Sequence, residues 1–110
     1  MPTELKVEDL CVRFISDKRG ARIEVQHVSD SSPCEMRCSL GNLFAVCKGL
    51  RYHISGQGLS CTLEKVGGYL TLRYVRGEET KRYMLPIQEF EATIQRLSMG
   101  DRPERRAYAL

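Results

Sequence analysis

The order of apolar and polar residues changes period several times along the chain. DLCVRFIS at 9–16 alternates, with Val12 and Phe14 on one face and Arg13 and Ile15 on the other, and DKRG at 17–20 follows with turn chemistry. ARIEVQHV then sets Ile23 and Val25 against Arg22, Glu24 and Gln26. The two stretches predict a β-hairpin whose loop holds Gly20, a residue able to take positive φ. After the turn cluster SDSSP at 29–33, CEMRC at 34–38 alternates again, placing Cys34, Met36 and Cys38 opposite Glu35 and Arg37. In SLGNLFAVCKGL the period lengthens: Leu40, Leu43, Cys47 and Leu50 recur at helical spacing behind Ser39 as N-cap, and Gly49 is placed to end a short helix.

The second half runs through the same sequence of signals. LRYHIS at 50–55, LSCTLEKV at 59–66, YLTLRYV at 69–75 and TKRYML at 80–85 predict four strands, separated by the turn-forming GQG, GG and RGEE. A helix follows, with Pro86 at its first position and an apolar stripe of Ile87, Phe90, Ile94 and Leu97 that ends near Gly100. DRPERRAYAL at 101–110 is polar and predicts a flexible C-terminal tail.

The two halves align at a constant shift. An offset of 47 carries Gly20 onto Gly67, Ile23 onto Leu70, Val25 onto Leu72, His27 onto Tyr74, Val28 onto Val75 and Val7 onto Ile54. It also lays Leu40, Leu43, Cys47 and Leu50 on Ile87, Phe90, Ile94 and Leu97, and two further residues in the preceding loop bring Val12 and Phe14 onto Cys61 and Leu63. The expected architecture is α+β: one compact domain over 1–100 made of tandem ββββα units at about 4–50 and 51–98, with antiparallel sheets and both helices packed on one face.

Composition narrows the function classes. A length of 110 residues, 42% hydrophobic and 28% charged, suits one soluble domain with its own core. No apolar run approaches the roughly 20 residues that cross a bilayer, and no leader-like pattern opens the chain, so no membrane association is expected. Five cysteines without a repeated spacing fit reduced thiols in an intracellular compartment, cytoplasmic or nucleoid/nuclear. Residues 1–50 hold seven basic and seven acidic side chains, and residues 51–110 hold ten and seven, so the net charge of +3 arises in the second half.

No catalytic motif emerges. Cys34 and Cys38 on one strand would lie roughly 13 Å apart, too far for one zinc ion, so no metal is expected. His53 and Cys61 are a conceivable base and nucleophile, but alternation puts them on opposite faces. With no GxGxxG, P-loop or carboxylate constellation, the expectation is a non-enzyme without cofactors. His27 is expected on the core side as a hydrogen-bonded structural residue.

The face turned away from the helices is the candidate site. Alternation points Arg13, Arg22, Arg37, Arg51, His53, Ser60, Thr62, Tyr69, Thr71, Arg73 and Arg82 outwards, with Lys18, Arg19 and Lys65 near the hairpin turns. Arginines track phosphates and stack on bases, and Tyr69 offers an aromatic surface, whereas Glu24 and Glu64 offset part of the charge. Tandem ββββα units, with the basic turn DKRG feeding the strand ARIEV, resemble the PUR repeat and the related Whirly family. That resemblance implies curved sheets that carry single-stranded nucleic acid while the helices pack behind or build dimers. The expected function is single-stranded DNA or RNA binding through Arg13, Lys18, Arg19, Arg22, Arg37, Arg51, Tyr69, Arg73 and Arg82. The alternative is a protein-interaction or assembly module, a regulatory partner or inhibitor, in which Phe90, Ile94 and Leu97 form a homodimer or partner contact together with the AYAL tail.

Overall fold

The computed structural model of the chain describes residues 3–17 and 20–100. Along them run β1 (Thr3–Val7), β2 (Leu10–Asp17), β3 (Gly20–His27), β4 (Cys34–Cys38), α1 (Leu40–Val46), β5 (Tyr52–Gly56), β6 (Leu59–Val66), β7 (Tyr69–Arg76), β8 (Glu79–Pro86) and α2 (Ile87–Gly100). The ββββα order therefore occurs twice. Strands β1 to β4 form one antiparallel sheet and β5 to β8 a second, each with neighbours in chain order. The predicted tail at 101–110 and the turn residues Lys18 and Arg19 lie outside the described residues. No described helix is long and apolar enough to cross a membrane.

Period-two burial follows from the alternation. Leu10, Val12 and Phe14, then Ala21, Ile23 and Val25, then Leu59, Cys61 and Leu63, then Leu70, Leu72 and Tyr74 all turn inwards and form one core with the helices. Ser39 caps α1, its Oγ accepting from Asn42 N at 3.3 Å, and Gly49, at φ 107°, lets Leu50 N return to Ala45 O at 3.0 Å. Because α1 is only seven residues long, its buried stripe is Leu43 and Val46. Leu50, expected on that stripe, lies past the end and is 42% exposed.

Pro86 likewise departs from expectation. It closes β8 opposite Tyr69 instead of opening α2, a position a proline tolerates because β8 is an edge strand. Ile87 N then donates to Gly68 O at 3.0 Å and starts the helix.

Cross-strand partners also correct the repeat register. Thr3 faces Phe14 as Tyr52 faces Leu63, and Phe14 faces Ile23 as Leu63 faces Leu72, so the first three strands correspond at an offset of 49. Ile23 faces Met36 as Leu72 faces Tyr83, which returns β4 and α1 to the offset of 47. Ile23 is thus the counterpart of Leu72, not Leu70, and Leu5, not Val7, that of Ile54. The difference of two residues falls in the connection at 28–33, which is longer than the turn at 77–78. A shift of two leaves every side chain on its original face, so the apolar pattern alone could not detect it.

The two units are packed into each other. Helix α1 rests chiefly on β5, β6 and α2, while α2 covers β1 and β2 as well as β7 and β8. Phe14 from the first sheet meets Phe90 of α2 edge-on, with ring centroids 6.0 Å apart, a favoured aromatic geometry. Strand β4 runs beside β5 without joining its ladder; Cys34 Sγ donates to Gly56 O at 3.5 Å and Glu35 N to Gln57 Oε1 at 3.3 Å. Gly56 permits that approach, since a Cβ there would stand 3.1 Å from Met36 Cγ.

Candidate nucleic-acid interface

Both sheets leave one face free of helices, and the predicted side chains are found there. Arg13, Arg37, Arg51, His53, Tyr69, Arg73 and Arg82 are exposed, and Arg22, Ser60, Thr62 and Thr71 are half-buried. Each alternates with core residues on its strand, apart from Arg51, which immediately precedes β5. Lys18 and Arg19, predicted to flank the face, are among the residues not described.

The helix stripe sits elsewhere. Phe90, Ile94 and Leu97, expected at an oligomer contact, are 0%, 0% and 2% exposed. The first sheet supplies the surface that α2 needs to cover, so these side chains are spent inside the chain and are not available to a second copy. Thr93, a polar residue within the same buried stripe, escapes a periodicity argument. Its hydroxyl donates to Glu89 O at 2.8 Å and accepts from Arg96 Nη2 at 3.2 Å, which satisfies the buried oxygen.

Charges on the two open faces are arranged differently. Across the middle of the first sheet run Glu4, Arg13, Glu24 and Glu35, one from each strand in register. Arg13 lies 3.5 Å from Glu4 and 3.9 Å from Glu24, Lys6 lies 3.5 Å from Glu4, and Arg22 lies 3.1 Å from Glu35. The corresponding row of the second sheet is His53, Thr62, Arg73 and Arg82. His53 Nδ1 and Thr62 Oγ1 are 3.1 Å apart. Arg73 and Arg82 face each other directly, and neither makes an ion pair among the described residues.

Two residues further along the second sheet lie Glu64, Thr71 and Met84, and beyond them Val66, Tyr69 and Pro86. Val66, Tyr69 and Met84 are 52%, 49% and 51% exposed and make an apolar and aromatic end to the face. Val66 and Met84 were legible by alternation but carry no charge to single them out.

A polar cluster ties the units together at the core side. His27 Nε2 lies 2.8 Å from Asp9 Oδ2 and 2.9 Å from Lys81 Nζ, and its Nδ1 lies 2.6 Å from Ser29 Oγ. Tyr83 donates to the second oxygen of Asp9 at 2.8 Å. Alongside, Arg76 pairs with Asp30 at 2.9 Å and lies 5.7 Å over the Tyr74 ring. The Tyr83 hydroxyl, then His27 and Lys81, hold the Asp9 carboxyl down from 3.8 to about 2.

The structure does not bring Cys61 and His53 together. Cys61 faces the core while His53 faces solvent, and burial pushes the Cys61 thiol up to about 12 and that of Cys38 to about 11. Among the described residues no group of three or more His, Cys, Asp or Glu is placed to hold a metal ion. Comparison with known protein families, characterised proteins and solved structures returns no match for this chain.

Proposed function

We propose that the protein is a non-enzymatic binder of single-stranded DNA or RNA that uses the open faces of its sheets. One observation carries this reading: the side of the sheets left uncovered by α1 and α2 presents Arg51, Arg73 and Arg82 together with the aromatic ring of Tyr69. Cations spaced along pleated strands can follow a phosphate backbone, and an exposed ring beside them gives unpaired bases a surface on which to stack. Duplex DNA, whose bases are already stacked, would use only the charges. The tandem ββββα order, with its resemblance to PUR and Whirly proteins, supports the same assignment.

Fluorescence anisotropy with labelled single-stranded DNA, single-stranded RNA and duplex DNA over a salt series tests it. The expected result is tighter binding to single strands that weakens with salt, with a log–log slope of about 0.7 per phosphate contacted. Flat titrations with all three at low salt would reject it and leave a protein-interaction module as the alternative.

A further inference from the structure

Matching the two units by their cross-strand partners shows that the central rows of their open faces carry opposite chemistry, while in the next row the first sheet sets Arg22, paired with Glu35 at 3.1 Å, opposite Arg37 and the second holds Glu64, Thr71 and Met84. Glu4, Arg13, Glu24 and Glu35 in the first unit correspond to His53, Thr62, Arg73 and Arg82 in the second. One row holds three carboxylates around a single arginine, and the other holds two arginines and no carboxylate. Tyr69 corresponds to Gly20, and Met84 to Arg37, so the apolar and aromatic end has no copy in the first unit either.

From this we infer that the two sheets have divided their labour: the second sheet alone grips the nucleic acid, and the first is scaffold. The inference rests on the single-strand reading above and narrows it to one site per chain. Phosphates contact the Arg73–Arg82 pair, and bases lie against Tyr69 with Met84 and Val66 beside it. Tyr69 and Arg73 are four residues apart on β7, roughly 13 Å along the strand, so both fall within reach of one short strand.

Like charges placed directly opposite on neighbouring strands destabilise a sheet, and the described residues offer Arg73 and Arg82 no carboxylate partner, so a bound polyanion relieves a repulsion that the fold leaves in place. On the first sheet, Glu4, Glu24 and Glu35 already hold Arg13 and Arg22, and a phosphate would have to displace them. Base stacking requires an exposed planar or apolar surface next to the cations, and Tyr69 stands only on the second sheet.

The test is a titration of the whole chain with a short labelled single strand, using matched variants of the two sheets. Arg73→Ala and Arg82→Ala should each make the salt dependence shallower by about 0.7, and Tyr69→Ala should weaken binding about tenfold while Tyr69→Phe retains it. Arg13→Ala and Arg37→Ala should leave affinity within about twofold, and saturation should fall at one strand per chain. If the first-sheet variants lose as much as the second-sheet ones, or two strands bind per chain, the division of labour is wrong and the single-strand reading survives. If the unaltered chain binds no single strand at low salt, both fall. These positions are on the open face, and circular dichroism of each variant separates a binding loss from an unfolding one.

Discussion

Tyr83 and Asp9 lie 74 residues apart in the chain, and the tyrosine hydroxyl donates to the aspartate carboxylate at 2.8 Å. This bond joins the last strand of the second sheet to the first hairpin turn of the first, beside the ion pair of Lys81 with the same carboxyl at 3.6 Å. It links the stability of the interlocked units to the charge on Asp9.

Because Asp9 is held down to about 2 from an ordinary 3.8, it binds protons less readily folded than unfolded. Its contribution is fully present above about pH 4 and is lost as pH falls toward 2. Asp30 shifts the same way: partial burial pushes it up, but the His27 N–H and Arg76 outweigh that. Tyr83→Phe should therefore lower the thermal midpoint at neutral pH, and the gap from the unaltered chain should narrow during acid titration between pH 4 and 2. A gap independent of pH over that range would show that the lost hydroxyl, not the Asp9 charge, matters.

Raising the pH acts on the tyrosines in the opposite sense. Burial, with the Asp9 bond added, pushes the Tyr83 phenol well above 10, and burial does the same to a lesser degree for Tyr74. Groups whose folded values are raised stabilise the fold below their unfolded values and lose that contribution as pH rises past them. Urea midpoints should begin to fall near pH 9, where the raised Cys38 and Cys61 thiols start to lose their contribution, and fall further above pH 10, and Tyr83→Phe should soften that later fall. Identical alkaline profiles for the two proteins would overturn this.

Phe90 is wholly buried against Phe14. Phe90→Ala should cost about 3–5 kcal/mol of unfolding free energy, read as a lower urea midpoint. An unchanged midpoint accompanied by a change in sedimentation would instead return Phe90 to an intermolecular role.

Interlocked packing makes each unit dependent on the other. Fragments 1–50 and 51–98 should each lack a cooperative thermal transition, because α1 has its main surface on β5 and β6 and α2 covers β1 and β2. An equimolar mixture should recover a transition. Cooperative melting of either fragment alone would disprove the dependence.

Arg82→Glu offers a trade between stability and binding. It places at that position the residue type found at Glu35 and turns a like-charge cross-strand pair into an attractive one, worth about 0.2–1 kcal/mol. The variant should melt at slightly higher denaturant while its affinity for single strands drops. A destabilised Arg82→Glu would mean that the Arg73–Arg82 contact is not repulsive in the folded chain.

Alternation and turn chemistry were enough to locate all the elements of the second half to within one or two residues and to assign Arg13, Arg73, Arg82 and Tyr69 to one face. They work because strand side chains switch faces with period two and because the covering helix demands an apolar partner on one of them. By the same logic the α2 stripe of Ile87, Phe90, Ile94 and Leu97 could be read directly, yet what the stripe packs against could not. Apolar pattern says that a surface must be buried and leaves open whether the chain or another molecule buries it.

What the amino-acid order determined by itself is the ββββα unit, its doubling and the sidedness of its strands, since these depend on neighbours two to four residues apart. Only the tertiary structure decided the rest: that each helix reaches the other unit's sheet, that the repeat register slips by two residues at the 28–33 connection, and that the row through Glu24 and Glu35 matches the row through Arg73 and Arg82. Those are relations between residues distant in sequence. They are set by which strand edges and apolar faces meet in space, and a two-residue slip that preserves every face leaves no trace in the pattern from which the strands were read.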